Sequence, residues 1–301
     1  MNNNFKSGFV SLVGRTNVGK STLLNALVKE KVAITTNKTQ TTRTAIKAII
    51  NNENHQIIIT DTPGIHKPKN KLGETMIDTA FSMITEVDCI LFLIEATSTE
   101  IGRGDSRILE KIKEAGKPCI LVINKMDLVN KEELAKLISL YSKEYNFSAI
   151  VPISAFKNKG TDELLKEVEK LLPYGPKYYE EDEYTDQTSR QLVEELIREK
   201  ALKLLNEEVP HGIYVEVGKF FFRQTSKGED IYDIEATIYC LRESHKGIII
   251  GKGGAMLKRI STYARQDAEN MLDTKVNLKV WVKVKEDWQE KENIVNKFKL
   301  K

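Results

Sequence analysis

The chain has 301 residues, 41% of them apolar and 30% charged, which is enough for two ordinary domains with real cores. Lys plus Arg number 46 against 43 Asp plus Glu, which excludes an acidic disordered chain and a uniformly basic nucleic-acid tail. Cys89, Cys119 and Cys240 are odd in number and widely spaced, which argues against a disulfide framework or a zinc knuckle.

No apolar run approaches the roughly 20 residues of a membrane span. The Asn-rich start, Met1 to Phe9, lacks the apolar core of a signal peptide. A soluble protein of a reducing, intracellular compartment is therefore expected. Along residues 1–172 strands and helices alternate. Strands are predicted at Phe9 to Val13, Ala45 to Ile50, Gln56 to Thr60, Cys89 to Glu95, Cys119 to Asn124 and Ala149 to Ile153. Several are continuous apolar runs, as suits strands buried on both faces of a parallel sheet. Helical patterns fall between them, for example at Ser106 to Ala115 and Lys131 to Tyr145. A doubly wound, mostly parallel α/β domain is expected. Residues 173–188 carry two prolines and then a run of acids, and read as an exposed linker. From 189 to 301 the pattern restarts as a second domain. Its order is helix, strand, strand, helix, helix, strand, ending in the period-two run Val276, Leu278, Val280, Val282 and Val284.

The first strand runs into Gly14-Arg15-Thr16-Asn17-Val18-Gly19-Lys20-Ser21, a full match to G-x-x-x-x-G-K-[ST], and a helix from Thr22 to Val28 follows. That strand–loop–helix context is the one a phosphate-binding loop requires. The N–H groups of Gly14, Asn17, Val18, Gly19 and Thr22 suit phosphate oxygens, with the helix N-terminus adding partial positive charge. Lys20 is placed to reach the β and γ phosphates, and the Ser21 hydroxyl to ligate Mg²⁺. Asp61-Thr62-Pro63-Gly64 ends a strand. Asp61 can hold Mg²⁺ through water, and the Gly64 N–H can meet the γ phosphate. Asn124-Lys125-Met126-Asp127 ends another, and the two oxygens of Asp127 match the two donors on the guanine edge. Ser154-Ala155 can offer a backbone N–H to the guanine carbonyl. Between the first two signals lies a Thr-rich switch segment holding Gln40, Thr41, Thr42 and Arg43. One of its threonines should complete the Mg²⁺ shell when GTP is bound; Thr42 is favoured and Thr41 is the rival.

With these motifs the sequence resembles the translation-factor-like GTPases, and the Era family in particular. Asn17 in the loop, the segment Gln40 to Arg43 and Asp61 to Gly64 carry the likeness. Gly251-Lys252-Gly253-Gly254, set between two helices ahead of a strand, is similar to the GxxG loop of a type II KH domain. The resemblance covers nearly the whole chain. It implies a GTPase that binds and hydrolyses GTP and binds 16S ribosomal RNA near its 3′ end through the KH domain. It would act in assembly of the small (30S) ribosomal subunit, in the cytoplasm, as a monomer. Loose peripheral association with the membrane is also attributed to the family, and no residue here shows it. Ile65 follows Gly64 where a Ras-like switch has the glutamine that orients water. Thr41, Arg43 and Asn17 are then the nearby polar candidates, with a bound K⁺ as a further one. Two alternatives stay open: a GTPase acting on transfer RNA or a protein, and an RNA-binding structural protein whose nucleotide site is not catalytic.

Residues 241–285 hold ten Lys or Arg against four acids, a local excess of six positive charges that the near-neutral total conceals. A basic surface beside a glycine-lined turn can approach a phosphate backbone. Lys246, Lys252, Lys258 and Arg259, with the Gly251, Gly253 and Gly254 backbone, are the candidate RNA contacts. Trp281 reads first as packing and second as a stacking platform. Ile248, Ile249 and Ile250 read as core and groove floor.

Overall fold

The computed structural model describes residues 5–38, 41–65, 68 and 70–298. Contacts divide the chain into two units: one holds the chain up to Ala33, Thr42–Asp186 and the stretch from Asn296, the other Ile34–Thr41 and Gln187–Val295.

The first unit is built on a six-stranded sheet in the order β2-β3-β1-β4-β5-β6. Its strands are β1 (Lys6–Gly14), β2 (Ile46–Asn51), β3 (His55–Asp61), β4 (Cys89–Glu95), β5 (Cys119–Asn124) and β6 (Ala149–Pro152). All neighbours are parallel except β2, which runs antiparallel to β3. The apolar runs of β3 and β5 are buried end to end, which is why they show no alternation. Helices α1 (Lys20–Val28) and α5 (Thr161–Leu171) cover one face. Helices α2 (Lys71–Thr85), α3 (Arg103–Ala115) and α4 (Lys131–Glu144) cover the other. α2 lies where the sequence pattern assigns no element. Its inward face includes Gly73, Thr75 and Thr79, small residues that dilute the apolar period. All three cysteines are buried free thiols.

Residues 173–186, read as an exposed linker, are mostly exposed but are also strapped along β1, β3 and the outer edge of β2. The Ser7 N–H donates to the Pro173 carbonyl (3.1 Å), and the Ile49 N–H to the Tyr184 carbonyl (3.0 Å). Buried Gln56 binds the strap from β3: its Oε1 accepts from the Tyr178 N–H (2.7 Å) and its Nε2 donates to the Tyr179 carbonyl (2.9 Å). The boundary between units falls after Asp186, inside the stretch read as linker, and the residues from Asn296 group with the first unit.

The second unit follows the expected order: α6 (Ser189–Leu204), β7 (Tyr214–Gln224), β8 (Asp230–Cys240), α7 (Glu243–Ile250), α8 (Ala255–Leu272) and β9 (Lys275–Val284). α6 opens on a capping box of Thr188 and Gln191. The sheet order is β7-β8-β9, with β7 antiparallel and β9 parallel to β8. Val193 and Ile197 of α6, Ile249 of α7 and Ile260, Ala264 and Ala268 of α8 pack on one face of this sheet.

A carboxylate sits where α6 meets β7. Glu194 Oε1 accepts the Val217 N–H at 2.7 Å, beside the bulge that follows Val217. Burial pushes Glu194 from 4.5 up to about 7, with Glu195 and Glu216 adding to the rise and the Val217 N–H and Arg190 opposing it. A raised acid favours folding while it is protonated. Its contribution is complete below the ordinary value of 4.5 and is lost as pH rises through about 7. Glu194→Gln should therefore flatten the pH dependence of melting between pH 5 and 8 and raise the melting temperature at pH 8. An unchanged pH profile would show that Glu194 is ionised in the fold at all these values.

Candidate functional site

The nucleotide motifs all leave the carboxyl ends of strands in the first unit. These flank the point where the chain order reverses around β1, the usual ligand crevice of an open α/β sheet. Glycine is required twice in the loop after β1. A Cβ on Gly14 would lie 2.5 Å from the Leu93 carbonyl oxygen, and one on Gly19, at φ 101°, would lie 2.3 Å from Asn124 Nδ2. Lys20 is buried, its Nζ donating to the carbonyls of Gly14 (3.0 Å) and Arg15 (2.8 Å). Burial pulls it down to about 8, while the Asp61 charge resists the fall.

Three oxygen-bearing side chains converge beside it. Ser21 Oγ lies 2.9 Å from Asp61 Oδ2 and 2.9 Å from Thr42 Oγ1, and Thr42 Oγ1 lies 3.1 Å from Asp61 Oδ2. Asp61 is fully buried, which pushes its carboxyl up; Lys20, Ser21 and Thr42 counter the rise. Its Oδ1 has no hydrogen-bond partner among the described residues. Hard oxygen donors with an unpaired buried carboxylate oxygen fit Mg²⁺. Thr41 turns elsewhere: its hydroxyl lies 2.7 Å from Thr36 Oγ1 and donates to the Lys38 carbonyl at 2.6 Å. The switch segment divides at this point, with Ile34–Thr41 grouped in the second unit and Thr42 in the first. Arg43 is buried. Gln40 lies outside the described residues.

Gly64 presses on the phosphate loop, since a Cβ there would lie 2.9 Å from Thr16 Cα. Ile65 is buried, and its N–H donates to the Gly14 carbonyl at 3.3 Å. An aliphatic side chain locked in this way cannot orient water. Ile65→Gln should leave GTP turnover flat or lower, because the amide would enter an apolar cluster. A tenfold gain in steady-state turnover, about 1.4 kcal/mol of barrier, would overturn this.

At the base-recognition end the predicted residues are also tied to one another and to the phosphate loop. Asn124 does not face outward: its Nδ2 donates to the Val18 carbonyl (2.9 Å) and its Oδ1 accepts the Ala155 N–H (3.0 Å). It ties the phosphate loop to the Ser154–Ala155 turn by holding the Ala155 N–H, one of the two offered there for the guanine carbonyl. Lys125, at φ 64°, donates from Nζ to the Asn17 carbonyl (3.1 Å) and pairs with Glu95. Asp127 is held below the usual carboxylate range by hydrogen bonds from Ser154 and then Lys157, whose Nζ is 3.0 Å from Oδ2. Sequence reasoning missed Lys157, Glu95 and the pair Arg15 Nε–Asp105 Oδ2 (3.0 Å), which ties the phosphate loop to α3. Only Lys157 had a signal, its closeness to Ser154-Ala155.

In the second unit the turn Gly251–Gly254 joins α7 to α8. Gly251, Gly253 and Gly254 have φ of 72°, 58° and 79°. A Cβ on Gly253 or Gly254 would meet nothing within 4 Å, so the turn is open to an approaching backbone. Lys252, Lys258 and Arg259 are exposed beside it, while Lys246 pairs with Glu243 at 3.4 Å. Ile249 is buried as expected, but Ile248 is exposed.

Residues 9–125 match the family model described as a 50S ribosome-binding GTPase, and residues 208–289 match that of a KH domain. The chain is 51% identical to the GTPase Era of Clostridium kluyveri over 98% of its own length and 99% of that protein. It belongs to the Era family of GTPases. The GTPase Era of Clostridioides difficile is 52% identical, with 98% of each chain covered. Two crystal structures of Era superpose with a TM-score of 0.92 at 41% identity, each covering 98% of this chain. One is Era with MgGDPNP and nucleotides 1506–1542 of 16S ribosomal RNA, covered over 98% of its length. The other is an Aquifex aeolicus Era variant bound to GDP.AlF4-, covered over 99%. As a family member the chain is a GTP hydrolase, with a P-loop GTPase domain followed by a type II KH domain.

Proposed function

We propose that this Era-family chain is a GTP-driven factor for the small ribosomal subunit, binding 16S RNA near its 3′ end through the Gly251–Gly254 turn. The convergence of Ser21, Thr42 and Asp61 on one point beside Lys20 carries the catalytic half of this reading. Ser21 and Thr42 would hold Mg²⁺ directly and Asp61 through water, and the ion would neutralise charge on the β and γ phosphates. Gly14, Asn17, Val18, Gly19 and Thr22 present N–H groups to the phosphates, and the Gly64 N–H meets the γ phosphate. Lys20 follows the charge moving onto the leaving oxygen. Asp127 reads the guanine edge, held ready by Ser154, while Asn124 fixes the turn on which Ser154 and Ala155 sit.

The RNA half is supported by the likeness to the Era structure solved with 16S nucleotides. It is also supported by the open glycine turn with Lys252, Lys258 and Arg259 at its rim. The chain works in the cytoplasm as a monomer, and loose membrane association is an accessory property. No helix among the described residues is long and apolar enough to cross a membrane.

Magnesium-dependent GTP turnover, with recovery of 16S 3′-end sequence from RNA that co-purifies with the protein, tests the whole reading. Recovery of transfer RNA instead would overturn the ribosomal assignment. We assign the missing water-side charge to a monovalent cation held near Asn17. Turnover should be faster in K⁺ than in Na⁺ at equal ionic strength, and Asn17→Ala should abolish that preference. Equal rates in the two salts would remove the cation from the site.

A further inference from the structure

The basic residues of the KH domain divide between two surfaces. Lys252, Lys258 and Arg259 lie at the glycine turn, in the helical layer. Lys275, Lys279 and Lys283 alternate with the core valines of β9 and so stand on the face of the sheet opposite α6, α7 and α8. On this face the cations of β7 are neutralised: Arg223 Nε lies 2.6 Å from Asp233 Oδ2, and Lys219 Nζ lies 3.8 Å from Glu235 Oε1. The three lysines of β9 pair with no acid among the described residues. Between Lys279 and Lys283 stands Trp281, 44% exposed rather than packed. Each lysine lies two residues from it, about 7 Å along the strand.

A tryptophan face between two unpaired cations is the arrangement that stacks a base while its flanking phosphates are neutralised. We propose that the outer face of β9 is a second RNA-contacting surface, engaging a segment of the same RNA beyond the one at the Gly251–Gly254 turn. This rests on the RNA reading above. Lipid suits the face less well: across β8 the residues facing Trp281 and its two lysines are Thr237, Glu235 and Tyr239, and the Glu235 carboxylate would be costly to bury in an acyl layer. The other use of lysines on an edge strand is to keep edges from pairing, for which charge of either sign serves.

Filter binding with nucleotides 1506–1542 of 16S RNA, and with an RNA of about six nucleotides from the same 3′ end, separates these outcomes. Lys279→Glu with Lys283→Glu should weaken the long RNA at least fivefold. It should also make its log–log salt slope shallower by about 1.5, two contacts' worth of released counterions. The short RNA and GTP turnover should be unaffected. Trp281→Ala should lower long-RNA affinity by fivefold or more, with Trp281→Phe restoring most of it. Unchanged long-RNA binding in both variants, with binding lost in a Gly251–Gly254 turn variant, would overturn this proposal while leaving the RNA reading intact. Long RNA that ignores both surfaces would overturn the RNA reading itself. If the Glu variant binds RNA normally while Lys279→Ala with Lys283→Ala self-associates, the lysines guard an edge and the proposal falls. Sedimentation with vesicles containing anionic lipid, lost in the Glu variant while long-RNA affinity stays at wild type, would assign the face to membranes instead.

Discussion

Asp127→Asn should lower GTP affinity at least a hundredfold and shift the base preference toward xanthine. Two charge-assisted acceptor contacts become one neutral acceptor and one donor, the donor now facing donors on the guanine edge. Losing such contacts costs about 1.5–3 kcal/mol each. Xanthine carries a carbonyl where guanine carries its amino group, so it accepts from the new amide, and xanthosine nucleotides should recover part of the affinity. The scaffold should survive, because Asn124 ties the neighbouring loops to each other independently of Asp127. Titration with fluorescent guanosine and xanthosine diphosphates reads both effects. Equal GTP affinity in variant and wild type would show that Asp127 does not read the base.

The second large effect is expected at the KH turn. Lys252→Asp with Gly253→Asp sets two carboxylates where phosphates must approach, and RNA affinity should fall at least tenfold. Gly253 sits at φ 58°, a left-handed conformation that aspartate tolerates better than most side chains, and its Cβ would meet nothing within 4 Å. Melting temperature and GTP binding should hardly move. The wild-type affinity for the 3′-terminal 16S fragment should drop steeply with salt, and the variant's slope should be shallower. Wild-type affinity and slope in the double variant would reduce the turn to a helix connector.

What the sequence makes legible here is local. β4 and β5 keep their predicted limits because an apolar run stops at a polar residue, Glu95 or Asn124, and no partner is needed to see it. The phosphate loop, Asp61 and Asp127 are short motifs at strand ends, and their placement needed only the alternation of strands and helices. The glycine turn was legible in the same way. What stayed hidden depends on pairing across the chain. Nothing near Asp105 announces Arg15, and nothing in Asn124 says that its amide will be spent on Val18 and Ala155. Trp281 and Ile248 mislead for a related reason. An apolar side chain on an amphipathic element looks like core until the neighbouring elements show which faces they leave bare.

The strap along β2 has a consequence for how the chain is made. Until Tyr184 and Thr185 emerge, the Ile49 N–H and the edge of β2 have no partner, and the amide of Gln56 is left in the sheet without Tyr178 and Tyr179. The GTPase domain is therefore not finished when its last helix, α5, has been synthesised. Its final strand-edge closure waits for the residues after Pro173, so the segment that completes this sheet lies directly ahead of α6 in the chain.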